Sequence, residues 1–211
     1  MLAFDAASKL AVAGGRAKSD VANKLVSMAL HKVSQRIAPP TAVRSSAYQD
    51  AVRQAFQNRC PYCGEVLREQ TTVLEHLDAM NQFRAGLHVP GNVLPACRQC
   101  NLEKRRDDQE EQLPAGVRGW ELFLQHDGTH GAGCNTCSYW AGKWPDPALR
   151  GARLAEGRQR IAEFRDEHLP PACKDLASTL APLLQTMYEA AQAYADEATE
   201  KLVEDLVPKE T

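Results

Sequence analysis

The chain has 211 residues, 44% hydrophobic and 25% charged, the proportions of a folded protein of one or two domains rather than of a disordered one. A net charge of −2 excludes a uniformly basic nucleic-acid coat, and 6% aromatics argue against an aromatic-rich β-sandwich. The charge is uneven: residues 1–60 carry net +6, 61–106 net +1 and 107–211 net −9. A positive front half suits a polyanion, and a solvated surface without a partner accounts for it as well.

In chain order, the opening MLAFDAASKLAVAGGRAKSD holds no signal-peptide core, because Asp5, Lys9 and Arg16 break its apolar runs. Asp5 and Asp20 weigh against a mitochondrial leader. With no run of roughly 18 apolar residues, the expectation is a cytoplasmic, non-membrane protein. Residues 17–37 predict a helix with an apolar face at Val21, Leu25, Met28, Ala29 and Val33, stopped by Pro39-Pro40. Ser45 or Ser46 caps a second helix reaching about Asn58. A tight turn, Asn58 to Gly64, follows. Thr71 to Leu74 reads as a strand, Asn92 to Leu94 as a second extended piece, and Arg98 to about Glu111 as a charged helix. Residues 115–126 predict a short helix, broken by the glycines from Gly128 to Gly133. Another helix runs from Pro147 through Leu154, Ile161 and Phe164 to Pro170-Pro171. The last has apolar steps at Leu176, Leu180, Leu183, Met187, Ala191, Tyr194, Ala198, Leu202 and Leu206, with Pro182 as a kink or restart. That stripe packs on its own domain or supports a homodimer.

Seven cysteines are an odd number for a disulfide framework, and six fall in C-x-x-C pairs. Cys60-x-x-Cys63 and Cys97-x-x-Cys100 offer four soft thiolates in turn contexts, the donor set of a closed tetrahedral zinc site. Their separation exceeds that of a common zinc ribbon, so they bracket an inserted structure. Inside it Glu75-His76 closes a predicted strand, Asn92 stands in a Pro-Gly-Asn turn, and Asn101 directly follows Cys100.

Phosphodiester hydrolysis needs an activated water, stabilised charge on the phosphate and help for the leaving oxygen. A neutral imidazole can take a proton from water, so His76 is the candidate base, with a reference pKa of about 6.5. A hard cation such as Mg²⁺ or Mn²⁺ prefers oxygen ligands, which Glu75 and Asn101 can supply. Lys104 and Arg105 are candidate phosphate contacts. Asp78 is an alternative carboxylate or a loop residue, His88 reads as a loop or surface residue, and Arg105-Arg106-Asp107-Asp108 reads equally as a salt-bridged helix surface.

These pieces, Glu75-His76, Asn92 and Asn101 inside the cysteine frame, resemble the HNH endonuclease family, the zinc-braced branch of the ββα-metal nucleases. The resemblance covers about residues 59–107. It departs from the family at Glu75, where Asp is more usual. It implies that a metal held by Glu75 and Asn101 binds the scissile phosphate and stabilises the departing 3′ oxygen, and that Asn92 holds the loop orienting the histidine. The fold it implies is α+β: a small ββα-metal core with a structural four-cysteine zinc in a mostly helical chain. The expected regions are 1–58, helical; 59–110, the nuclease core; and 111–211, helical. The implied function is a DNA endonuclease of restriction or anti-phage defence, alone or with a partner protein. The alternative is a non-catalytic zinc module that binds DNA or a protein.

A third pair belongs to neither reading. His126, His130, Cys134 and Cys137 form H-x3-H-x3-C-x2-C among glycines and beside Trp120, Tyr139, Trp140 and Trp144. A second zinc and an aromatic-packed subcore with free thiols are both open. Cys173 reads as a small buried residue.

Overall fold

The chain is mostly helical, with a small sheet that sets the position of the candidate site. The computed structural model describes residues 2–110, 118–131 and 133–206, with side chains described for 16, 18–107, 118–131 and 133–201. The expected helix over 115–126 therefore lies partly outside the described residues, as does the end of the last stripe.

Helix α1 (Leu2–Ile37) ends ahead of Pro39-Pro40. Helix α2 (Ser46–Phe56) begins where Ser45 Oγ accepts the Tyr48 amide at 3.3 Å, a side-chain N-cap as its sequence requires. Strands β1 (Thr72–His76) and β2 (Val93–Cys97) pair antiparallel, with Thr72 opposite Cys97 and His76 opposite Val93. Helix α3 (Arg98–Glu110) leaves β2 without a connecting loop and packs back on both strands. Then come α4 (Gly119–Phe123), α5 (Asn135–Lys143), α6 (Pro147–His168) and α7 (Leu176–Leu206). Asp146 caps α6 by accepting the Leu149 amide at 2.6 Å, with Pro147 in its first turn. Pro182 lies within α7 and does not end it.

Two apolar cores result. One gathers Tyr48, Val52 and Phe56 of α2, Leu94 and Ala96 of β2, Trp120 and Phe123 of α4, Trp140 of α5, and Leu154, Ile161 and Phe164 of α6. The other joins Val26 and Leu30 of α1, Ala85, Leu87 and Val89 of the inter-strand segment, Leu169, Cys173, and Ala181 and Leu184 of α7. Both cores cross the expected limits at 58/59 and 110/111. The segment between β1 and β2 is wedged between them, with Leu77 in the first core and Leu87 in the second.

Helices α1 and α7 lie antiparallel: Lys18 pairs with Asp196, and Gln192 donates to Ser19 Oγ at 3.4 Å. Their buried faces bear out part of the expected stripes, with Ala29 and Val33 of α1 and Leu176, Leu180 and Met187 of α7 packed against the second core, and correct the rest. On α1, Ala22, Val26 and Leu30 are buried while Val21, Leu25 and Met28 are exposed; on α7, Ala181 and Leu184 are buried while Leu183 and Tyr194 are exposed. Each helix has apolar residues on neighbouring faces, and only one of those faces is buried. No helix among the described residues is long and apolar enough to cross a membrane.

Candidate metal centre and catalytic site

The first cysteine pair lies in a closed turn. Cys60 N–H donates to Glu65 O and Gly64 N–H to Cys60 O, both at 2.8 Å, and Gly64 takes the left-handed φ of +70° that closes it. The second pair spans the β2–α3 junction, where the Cys100 amide donates to Cys97 Sγ at 3.4 Å. The four sulfurs of Cys60, Cys63, Cys97 and Cys100 all lie within 4.8 Å of one another, with 3.8 Å between those of Cys63 and Cys97. Four soft donors, three of them on buried residues, suit a closed structural zinc. Hydrogen bonds from Cys100, Cys60 and Cys63 push the Cys97 thiol well below its usual range. The Tyr139 hydroxyl, on α5, lies 3.1 Å from Cys100 Sγ. The cluster thus ties the turn at 60–64 to the end of β2 and the start of α3.

Glu75 and His76 are consecutive on a strand and face opposite ways. Glu75 is 4% exposed. Its Oε1 is 2.8 Å from Lys104 Nζ and accepts from the Tyr62 hydroxyl at 3.4 Å. Lys104 is 1% exposed. This corrects the expectation that Lys104 contacts phosphate: it sits on the face of α3 turned to β1, where its ammonium neutralises a buried carboxylate. Asn101, half-buried, lies one turn earlier on that same face. Arg105 is exposed and borders a groove of about 1130 Å³ with Asp20 and Lys24 of α1, Phe83, and Tyr188 of α7.

His76 Nε2 lies 3.0 Å from His88 Nδ1. The His88 amide donates to Ser34 Oγ at 2.9 Å, and Ser34 donates to Leu30 O at 2.7 Å, so α1 holds His88 against His76. His88 is a loop residue, as expected, but a half-buried one whose ring is the neighbour of the candidate base. Burial lowers the His76 pKa to about 4, helped by the neighbouring basic groups His88, Lys104 and His31. Burial, with His31 and Arg44, also lowers that of His88. His76 is therefore a neutral imidazole across the physiological range.

Asn92 fastens the intervening segment. Its Oδ1 accepts from the Asp78 amide at 2.9 Å and from Arg165 Nη1 at 3.0 Å. Its Nδ2 donates to Asp78 O at 3.1 Å and Leu87 O at 2.8 Å. Asp78 has a loop role: its carboxylate pairs with buried Arg165 of α6. Gly86 lies where the segment folds on itself, and a Cβ there would stand 1.8 Å from Asp78 O. Gly91 has φ +78° and would carry a Cβ 2.6 Å from Leu169 N.

Sequence reasoning gave His88 no part in the site and missed Ser34 and Arg165. Each acts through a partner remote in the chain, and nothing in its local pattern marks it. Comparison with protein-family models, curated proteins and solved structures finds no match to this chain.

Proposed function

We propose that the chain is a metal-dependent endonuclease of the HNH kind that hydrolyses DNA phosphodiester bonds, in restriction or anti-phage defence. One observation carries the reading. The strand bearing Glu75-His76 is packed against the helix bearing Asn101, next to a four-cysteine cluster, while the Asn92 amide holds the segment that brings His88 to His76. Neutral His76 is the general base. With Nε2–H donating to His88 Nδ1, it keeps the Nδ1 lone pair for the water. His88, held by Ser34, orients the ring. Zinc suits the cysteine cluster as the brace of β2 and α3. The oxygens of Glu75 and Asn101 are hard donors of the kind that hold Mg²⁺ or Mn²⁺. Such an ion supplies charge stabilisation on the phosphate and the leaving oxygen. Lys104 must yield Glu75 Oε1 for a cation to be held there. Arg105 remains the candidate phosphate contact.

The Glu75–Lys104 pair also favours the second reading, a zinc module that binds DNA or protein without cleaving it, because a buried carboxylate already neutralised has a structural use. Plasmid DNA with Mg²⁺ or Mn²⁺ separates the two. The nuclease nicks or linearises it, and His76→Ala lowers the rate by about 10²–10⁴-fold with zinc content unchanged. The binding module leaves the plasmid intact with either chain. Because the base acts deprotonated and its pKa is about 4, the rate should be flat from pH 6 to 8 and fall only in acid. A rise centred near 6.5 would mean that the base is a group other than His76 as placed here.

A further inference from the structure

A second set of soft donors converges at the far end of α3. His126 follows α4, His130 lies in the glycine-rich connection, and Cys134 and Cys137 open α5. His126 Nδ1 is 3.1 Å from Cys134 Sγ and 3.7 Å from Cys137 Sγ, and His130 Nδ1 is 3.6 Å from Cys137 Sγ. A tetrahedron built on Zn–N and Zn–S bonds of about 2.0 and 2.3 Å has edges of ~3.3–3.8 Å, so these three separations stand near the spacing a zinc ion imposes. The ligand atoms of His126, His130 and Cys137 all lie within 4.8 Å of one another, and Cys134, outside that group, adjoins it through His126 Nδ1. Left-handed Gly128, between the two histidines, and Gly131, between His130 and Cys134, provide the wrap.

Two further observations point to a ligand. The pair is built like the first one. Cys134 caps α5 and accepts the Cys137 amide at 3.3 Å, as Cys97, before α3, accepts the Cys100 amide at 3.4 Å. In addition, His126 is fully buried and its other nitrogen, Nε2, lies 3.1 Å from Asp107 Oδ1. That carboxylate oxygen also accepts from the Thr136 hydroxyl at 2.7 Å. A carboxylate behind a histidine fixes the tautomer and presents the opposite nitrogen's lone pair to a metal, and here that nitrogen faces both sulfurs. Asp107 is therefore not part of a salt-bridged surface.

We propose that His126, His130, Cys134 and Cys137 form a second structural zinc site that clamps the end of α3 through Asp107. Four protein ligands close the coordination sphere, which assigns the ion to structure rather than to catalysis. Asp107 lies seven positions after Cys100 on one helix, about 10 Å of rise. The helix carrying Asn101 and Lys104 is thereby held at both ends. The proposal is independent of whether the chain cleaves DNA.

The test is the zinc content of the full chain, purified with reductant in zinc-supplemented medium, desalted and measured by plasma mass spectrometry. Two zinc ions per chain are expected, falling to one in Cys134→Ser/Cys137→Ser and in His126→Ala and staying at two in His76→Ala. If those variants fail to fold, Co²⁺ titration of the wild-type chain decides. Two spectrally distinct tetrahedral sites, one with four thiolates and one with two, support the site. A single four-thiolate spectrum overturns it. One zinc per chain, or two that survive both variants, also overturns it.

Discussion

Asn92 uses both amide hydrogens and its carbonyl oxygen inside the protein, on Asp78, Leu87 and Arg165. Asn92→Ala leaves those buried groups without partners at about 1–3 kcal/mol each, less than additively. Urea unfolding should show a loss of roughly 2–4 kcal/mol; under the proposed function cleavage should be lost with it, while zinc content is retained. Tyr48 is the counterpart from α2. Its hydroxyl donates to Val93 O at 2.7 Å and accepts the Gly91 amide at 2.9 Å, fixing both sides of Asn92. Burial pushes its pKa up to about 12 from 10.0. The folded value exceeds the unfolded one, so this contribution is complete below pH 10 and lost as pH rises from 10 to 12, roughly 2–3 kcal/mol in all. Unfolding free energies between pH 9 and 12 should fall less steeply in Tyr48→Phe than in the wild type. Equal slopes would contradict the assigned environment.

At the scale of elements, the segment between β1 and β2 matters most, because it carries Asp78, His88 and Asn92 and belongs to both cores. Its closure depends on Gly86, whose amide donates to Ala79 O at 3.0 Å. A side chain there cannot be accommodated beside the Asp78 carbonyl. Gly86→Ala should displace His88, read as loss of the through-space contacts between the His76 and His88 rings by nuclear magnetic resonance. The faces of α1 give a second test. Leu30 is fully buried and Leu25 is exposed. Leu30→Ala should cost about 2–5 kcal/mol, whereas Leu25→Ala should stay within about 0.5 kcal/mol. The reverse order would restore the stripe that the sequence pattern suggested.

Across the whole molecule, the cysteine cluster is the junction of distant pieces. It joins the turn after α2, the end of β2 and the start of α3, and Tyr139 brings α5 against it. Zinc affinity at such a site is folding free energy. Full removal of zinc by a strong chelator under reducing conditions should therefore abolish cooperative thermal unfolding, followed by circular dichroism. A sharp transition at unchanged temperature would contradict the four-thiolate assignment. DNA binding, if the proposed function holds, should weaken steeply with salt. Arg105→Glu should weaken it across sequences, whereas Lys104 should act on stability through Glu75.

The cysteine frame, the capped helices and the order Glu75-His76, Asn92, Asn101 were legible in the sequence because each signal is local. A C-x-x-C knuckle, a serine cap and a Pro-Gly turn are set by neighbours a few residues away. Only the tertiary structure decided that Glu75 faces Lys104, that His76 meets His88 and that Asp78 meets Arg165, as well as which faces of α1 and α7 are buried. A charged side chain has the same local pattern whether it is solvated or paired in a core. A helix with apolar residues on adjacent faces likewise has no preferred one until another helix packs on it. Those choices are made by contacts between segments far apart in the chain.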